Sequence, residues 1–104
     1  MANKSDLIVI ATARAKPGKE KALEKALRDV AAPTRAQPGS VAFSLFRSAA
    51  DPSVIVGFER WSSPREHDRH LQGDHVKKLM SAMSDILAEP PQIVAYEILD
   101  ESPA

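Results

Sequence analysis

The chain has 104 residues, 43% of them hydrophobic and 27% charged, with fourteen basic side chains balanced by fourteen acidic ones. That length supports one core of ordinary size, and the balanced charge gives nucleic acid or anionic lipid no net field to follow. There is no cysteine, which excludes disulfides, thiolate metal sites and a cysteine nucleophile and suits a reducing cytoplasm.

Leu7-Ile8-Val9-Ile10-Ala11-Thr12-Ala13-Arg14 is apolar and β-branched, the pattern of a strand covered on both faces. It is too short for a bilayer, which takes about 20 apolar residues. Charged helix formers follow it where a signal peptide would carry its cleavage region. Pro17-Gly18 ends the strand. From Lys19 the pattern turns helical, with Leu23, Ala26, Leu27, Val30 and Ala31 on one stripe and Lys21, Glu24, Lys25, Arg28 and Asp29 on the rest. Glu24 and Arg28 stand in the favourable i,i+4 order. Pro33 is expected to loosen the helix end, and Gln37-Pro38-Gly39 reads as a turn.

Val41 to Arg47 reads as a second strand and Val54 to Trp61 as a third. Between them, Ala49-Ala50-Asp51-Pro52-Ser53 has hairpin length and turn chemistry. Ser62 or Ser63 caps the next helix, with Pro64 at its first position and Glu66 completing a capping box. That helix is short, from Pro64 to about Leu71, and breaks at Gly73. Another resumes near Asp74 with Val76, Leu79, Met80, Met83, Ile86 and Leu87 as its buried stripe. Pro90-Pro91 stops it. Ile93 to Leu99 is the last strand, and Asp100 to Ala104 reads as a frayed tail.

The order β-α-β-β-α-β is that of a ferredoxin-like α+β fold, a four-stranded antiparallel sheet with helices on one face. One domain spans residues 1–104, with its core from about 7 to 99. Helices cover only one side of such a sheet, yet the strands are apolar at nearly every position. A second copy packed face to face is the simplest cover, so a homodimer is expected.

The stretch from Phe58 to His75 holds the only Trp and all three His. Strand alternation puts Phe58 and Arg60 on one side and Glu59 and Trp61 on the other. A carboxylate inside an apolar strand needs a partner. Arg14, Arg47 or Arg60 could supply a salt bridge, or Glu59 could orient a nearby His for proton transfer. His67, His70 and Asp74 share a helical spacing, but known metal-ligand spacings are absent and no metal is expected; an exposed helix carrying two His is the commoner arrangement. His75 lies one turn before Leu79, either as a boundary residue or as a base pointing between helix and sheet. Trp61 is a core anchor or an apolar wall for a flat ligand, and Tyr96 packs across strands or reaches the same cleft.

Pro17-Gly18, Gln37-Pro38-Gly39-Ser40, Phe58-Glu59-Arg60-Trp61-Ser62-Ser63, His70-Leu71 and His75 together resemble the antibiotic biosynthesis monooxygenase family, from about Leu7 to Leu99. The resemblance implies a dimeric α+β barrel with a site between sheet and helices in each protomer. It also implies a monooxygenase that needs no cofactor and acts with O2 on a quinol or another electron-rich aromatic. His75, His70 and Glu59 would then be catalytic, and Trp61, Phe43, Arg47, Arg14 and Tyr96 would hold the small aromatic substrate. A haem-degrading relative of the same fold is disfavoured, because Ala11, His70 and Met80 occupy that branch's functional positions. A ligand-sensing dimer without turnover and an isomerase-like member are the alternatives.

Overall fold

The computed structural model describes residues 5–102. In chain order it has β1 (Leu7–Arg14), α1 (Glu20–Arg35), β2 (Ser40–Arg47), β3 (Val54–Trp61), α2 (Pro64–Leu71), α3 (Asp74–Met83) and β4 (Gln92–Glu97). The strands form one open antiparallel sheet in the order β2-β3-β1-β4, the ferredoxin-like arrangement. The expectations for the N-terminal lead, 1–4, and for the last two tail residues, 103–104, lie outside the described residues.

Alternation along β3 decides what faces what. Ile55, Gly57, Glu59 and Trp61 are all buried, and they pair across β1 with Ala13, Ala11, Val9 and Leu7. On the other flank Glu59 pairs with Phe43 and Gly57 with Leu45. This is the face that the helices cover. Leu23 from α1 and Met83 from α3 pack on Ala13 and Ile55, while Val30 and Ala31 pack on Phe43. Full burial of a side chain such as Leu23, with no exposed surface left, stabilises the fold by about 2 kcal/mol.

Several boundaries differ from those read in the sequence. Pro33 sits inside α1, which continues to Arg35, and the Ala36 amide still donates to Ala32. A proline in the last turn removes one hydrogen bond without displacing the turns before it. α3 ends at Met83, so Ile86 and Leu87 leave the helical stripe. Leu87 reaches the core instead through an isolated bridge to Ala15. β4 ends at Glu97, short of Leu99, and all six of its residues are exposed. The tail is not wholly frayed, because Glu101 pairs with Arg60 at 2.9 Å. β1 is covered on its helix side alone within this chain; Ile8 and Ile10 on the other side are partly exposed.

Two joints fix α2 over the end of β3. Ser63 Oγ accepts from the Glu66 amide at 3.3 Å, with Pro64 in the first turn, which settles the cap on Ser63. Gly39 has φ +87, where a side chain is strained, and a Cβ there would run into the Cβ and Cγ of Glu66. The Gly39 carbonyl accepts from the Ser62 amide at 2.8 Å. The turn before β2 therefore sets how closely α2 approaches.

Candidate functional site

Because α2 begins one turn after Trp61, its inner face lies over the last residues of β3. His67 and His70, i and i+3 on that face, are both buried at 8% and 6% exposure. This corrects the expectation of an exposed helix carrying two His. The Trp61 ring is the floor beneath them, with its centroid 4.7 Å from His70 and 6.1 Å from His67.

Glu59 lies beside the same ring. Trp61 Nε1–H donates to Glu59 Oε1 at 2.9 Å, and His70 Nε2 stands 3.9 Å from that oxygen. None of the arginines considered as its partner reaches it. Arg14 pairs with Asp51 and Glu89, Arg47 with Glu24, and Arg60 with Asp6 and Glu101. Burial pushes the Glu59 carboxyl above its ordinary range, partly opposed by the Trp61 hydrogen bond.

His70 and His75 stand on either side of the Gly73 break and share one acceptor. Gln37 Oε1 lies 2.6 Å from His70 Nδ1 and 3.1 Å from His75 Nε2. An amide oxygen only accepts, so His70 carries its proton on Nδ1 and His75 donates from Nε2. The Nε2 of His70 is then a bare lone pair on the Glu59 side. Burial above all, then the neighbouring His67 and His75, push the His70 pKa down to about 4, so the ring is neutral near pH 7. Burial also lowers His67, against a smaller opposing pull from Asp68.

These groups close one end of a slot between sheet and helices with a volume of about 80 Å³. Glu59, His67 and His70 are its polar end, Phe43 and Val30 flank it, and Ala13, Ile55 and Met83 line the far end. Leu71, Met80, Pro91 and Ile93 line it as well, and of these Leu71, Met80 and Ile93 are exposed and form its mouth. The volume is roughly half of the ~150 Å³ apolar cavity that admits benzene. A ring therefore enters as the flexible Met80 side chain and its neighbours give way.

Of the residues read in the sequence as site residues, the fold brings Glu59, His70 and Phe43 to the slot wall and puts Trp61 directly behind it. His75 is one hydrogen bond further out, against Gln37, and faces the α1–α3 groove. Arg47 lies in a separate groove with Glu24 and Arg35, Arg14 lies at the Asp51 loop, and Tyr96 is on the open sheet face opposite Ile8. Sequence reasoning weighed His67 only as a metal candidate and Gln37 only as part of a turn, and read neither as a site residue. The i,i+3 spacing of His67 with His70 was a usable signal for the first. Nothing local marks Gln37, which meets the two rings only through the fold. Among the described residues no three His, Asp or Glu side chains are grouped to hold a metal ion.

Residues 6–82 match the family model described as antibiotic biosynthesis monooxygenase. The Mycobacterium tuberculosis protein named "Putative monooxygenase Rv0793" is 31% identical over 100 residues, covering 96% of this chain and 98% of its own. Its solved structure superposes with a TM-score of 0.89 at 29% identity, over 95% of this chain and 100% of that one. PA3566 of Pseudomonas aeruginosa gives a TM-score of 0.87 at 27% identity, again over 95% and 100% of the two chains. An uncharacterized Synechocystis protein is 23% identical over 94 residues, which are 90% of this chain but 64% of that longer protein. With the family model spanning most of its length and these relatives covering it nearly end to end, the chain belongs to the antibiotic biosynthesis monooxygenase family.

Proposed function

We propose that this chain is a cofactor-independent monooxygenase of quinols or other electron-rich phenols. The observation that carries this reading is the buried His70 ring, with its bare Nε2 beside Glu59, at the polar end of an otherwise apolar slot. His70 takes the phenolic proton at Nε2, and Glu59 holds the resulting imidazolium. Gln37, fixed in turn by His75, keeps the Nδ1 proton in place. The pair of phenolate and imidazolium forms away from water, where each charge stabilises the other strongly. The phenolate then gives its electrons to O2 from a ring carbon. One oxygen atom stays on that carbon as a carbonyl and the other leaves as water, so a phenol becomes a quinone with all electrons supplied by the substrate. A cytoplasmic location accords with the cysteine-free composition.

Oxygen uptake with a panel of hydroquinones tests the reaction. Uptake above the buffer rate is expected, with a hydroxyquinone that carries one atom from O2 as product, the other atom leaving as water and not as hydrogen peroxide. Ligand binding without uptake would mean a binding protein instead.

The same proposal includes a homodimer through the open sheet face. That face shows Ile8 and Ile10 of β1, Val56 and Phe58 of β3, Phe46 of β2 and Tyr96 of β4, with Phe46 57% and Tyr96 50% exposed. Apolar surface of that extent is costly to leave in water. Light scattering at micromolar concentration is expected to give twice the chain mass, and Phe58→Lys is expected to reduce it to that of one chain. A monomeric wild type would count against the dimer.

A further inference from the structure

One polar group in the slot has no work in the reaction above. His67 lines the slot and is more than nine-tenths buried, yet its Nε2 has no hydrogen-bond partner. Buried polar atoms are almost always paired, and this nitrogen, closed off until the slot opens for a ring, is a contact that a ligand there would complete. The His67 and His70 rings lie 6.2 Å apart with 27° between their planes, on the same helix face and above the same Trp61 ring. All the slot's other polar capacity is at this end too. Thr12 also lines the slot, but strand alternation turns its side chain toward the opposite sheet face, and the far end is Ala13, Ile55 and Met83.

We propose that His67 Nε2 binds a second oxygen of the ligand, and that the slot selects aromatic rings with two adjacent hydroxyl groups, the catechol class. Two oxygens on neighbouring carbons leave the ring from one edge and meet His70 and His67 together. A para diol would push its second hydroxyl into the apolar far end, where nothing receives it. A lone phenol satisfies His70 and leaves His67 unpaired. The inference rests on the slot being the substrate site, as proposed above, but not on any turnover there.

The chain's only Trp lies against both imidazoles, so its fluorescence reports occupancy of the slot. Anaerobic titrations with catechol, hydroquinone and phenol would compare the wild type with His67→Leu and His67→Gln. Catechol is expected to bind the wild type about tenfold more tightly than phenol or hydroquinone, the scale of one added hydrogen bond in a dry site. In His67→Leu catechol should fall to the affinity of phenol, with phenol unchanged; His67→Gln, which keeps a polar group, should recover part of the gap. Equal weakening of catechol and phenol would mean a merely structural role and overturn the proposal. So would catechol binding that ignores His67, or hydroquinone binding as tightly as catechol in the wild type. Should His67→Leu fail to fold, the glutamine variant and the wild-type comparison decide the matter. His67-dependent catechol binding without oxygen uptake would sink the oxygenase reading and leave this one standing. Uptake with no catechol preference would do the reverse.

Discussion

Trp61→Ala is expected to destabilise the fold by about 3–5 kcal/mol, the usual cost of emptying a large aromatic site. The side chain is fully buried and is the largest such residue among those described. It also forms the floor beneath α2 and supplies the donor to Glu59, so its removal leaves a cavity and strips a buried carboxyl of its hydrogen bond. Against a total stability of about 5–15 kcal/mol for such a domain, the variant should unfold at far lower urea concentration, with an unchanged slope. Trp61→Phe keeps most of the packing and should lose less. A shift of under about 1 kcal/mol for the alanine variant would mean that α2 is held elsewhere.

His70→Ala is expected to lower kcat/KM for quinol oxidation by about 10²–10⁴-fold, the range that a positioned base supplies. Steady-state oxygen uptake measures it, and an unaltered rate would remove His70 from the reaction. The pH dependence has a definite sign. The reactive form is neutral His70 beside an ionised Glu59. His70 loses its proton near pH 4 and Glu59, held above its ordinary range, loses its proton later, so activity should climb from pH 4 through the Glu59 titration and then level toward neutrality. Stability moves the same way. The pKa is 6.5 unfolded and about 4 folded, so the unfolded chain binds the proton more readily. The stabilisation is fully present above about pH 6.5 and is lost as pH falls to about 4, on the order of 3 kcal/mol. His70→Gln should flatten that part of the profile.

The topology was legible because the strands and the two longer helices carried their own periods and α2 its cap. Alternation in β3 placed Glu59 and Trp61 together, and Ser63-Pro64 announced α2 before any contact was known. The ends of elements were harder. Ile86 and Leu87 continue a helical stripe in sequence, but the chain leaves the helix at Met83 to bridge Ala15, a partner 72 residues away in the sequence. Glu59 and His70 were visible as candidates; their arrangement was not, since Gln37 comes from the turn between α1 and β2. Arg14 and Arg47 looked available because a sequence does not show that Asp51 and Glu24 engage them first. His67 was the costliest omission, because a charged, polar helix of eight residues gives little sign of which side it buries.

The mouth formed by Leu71, Met80 and Ile93 has no charged side chain, and no lysine or arginine lines the slot behind it. Long-range attraction therefore has nothing to act on, and the approach of a ligand is ordinary diffusion followed by desolvation. Ionic strength should leave the association rate unchanged. The same bareness acts as a filter, since a ligand bearing a carboxylate or phosphate would have to shed its hydration with no cation to receive it. The entrance thus admits neutral molecules, and the first charge a ligand carries inside is the one the site itself creates.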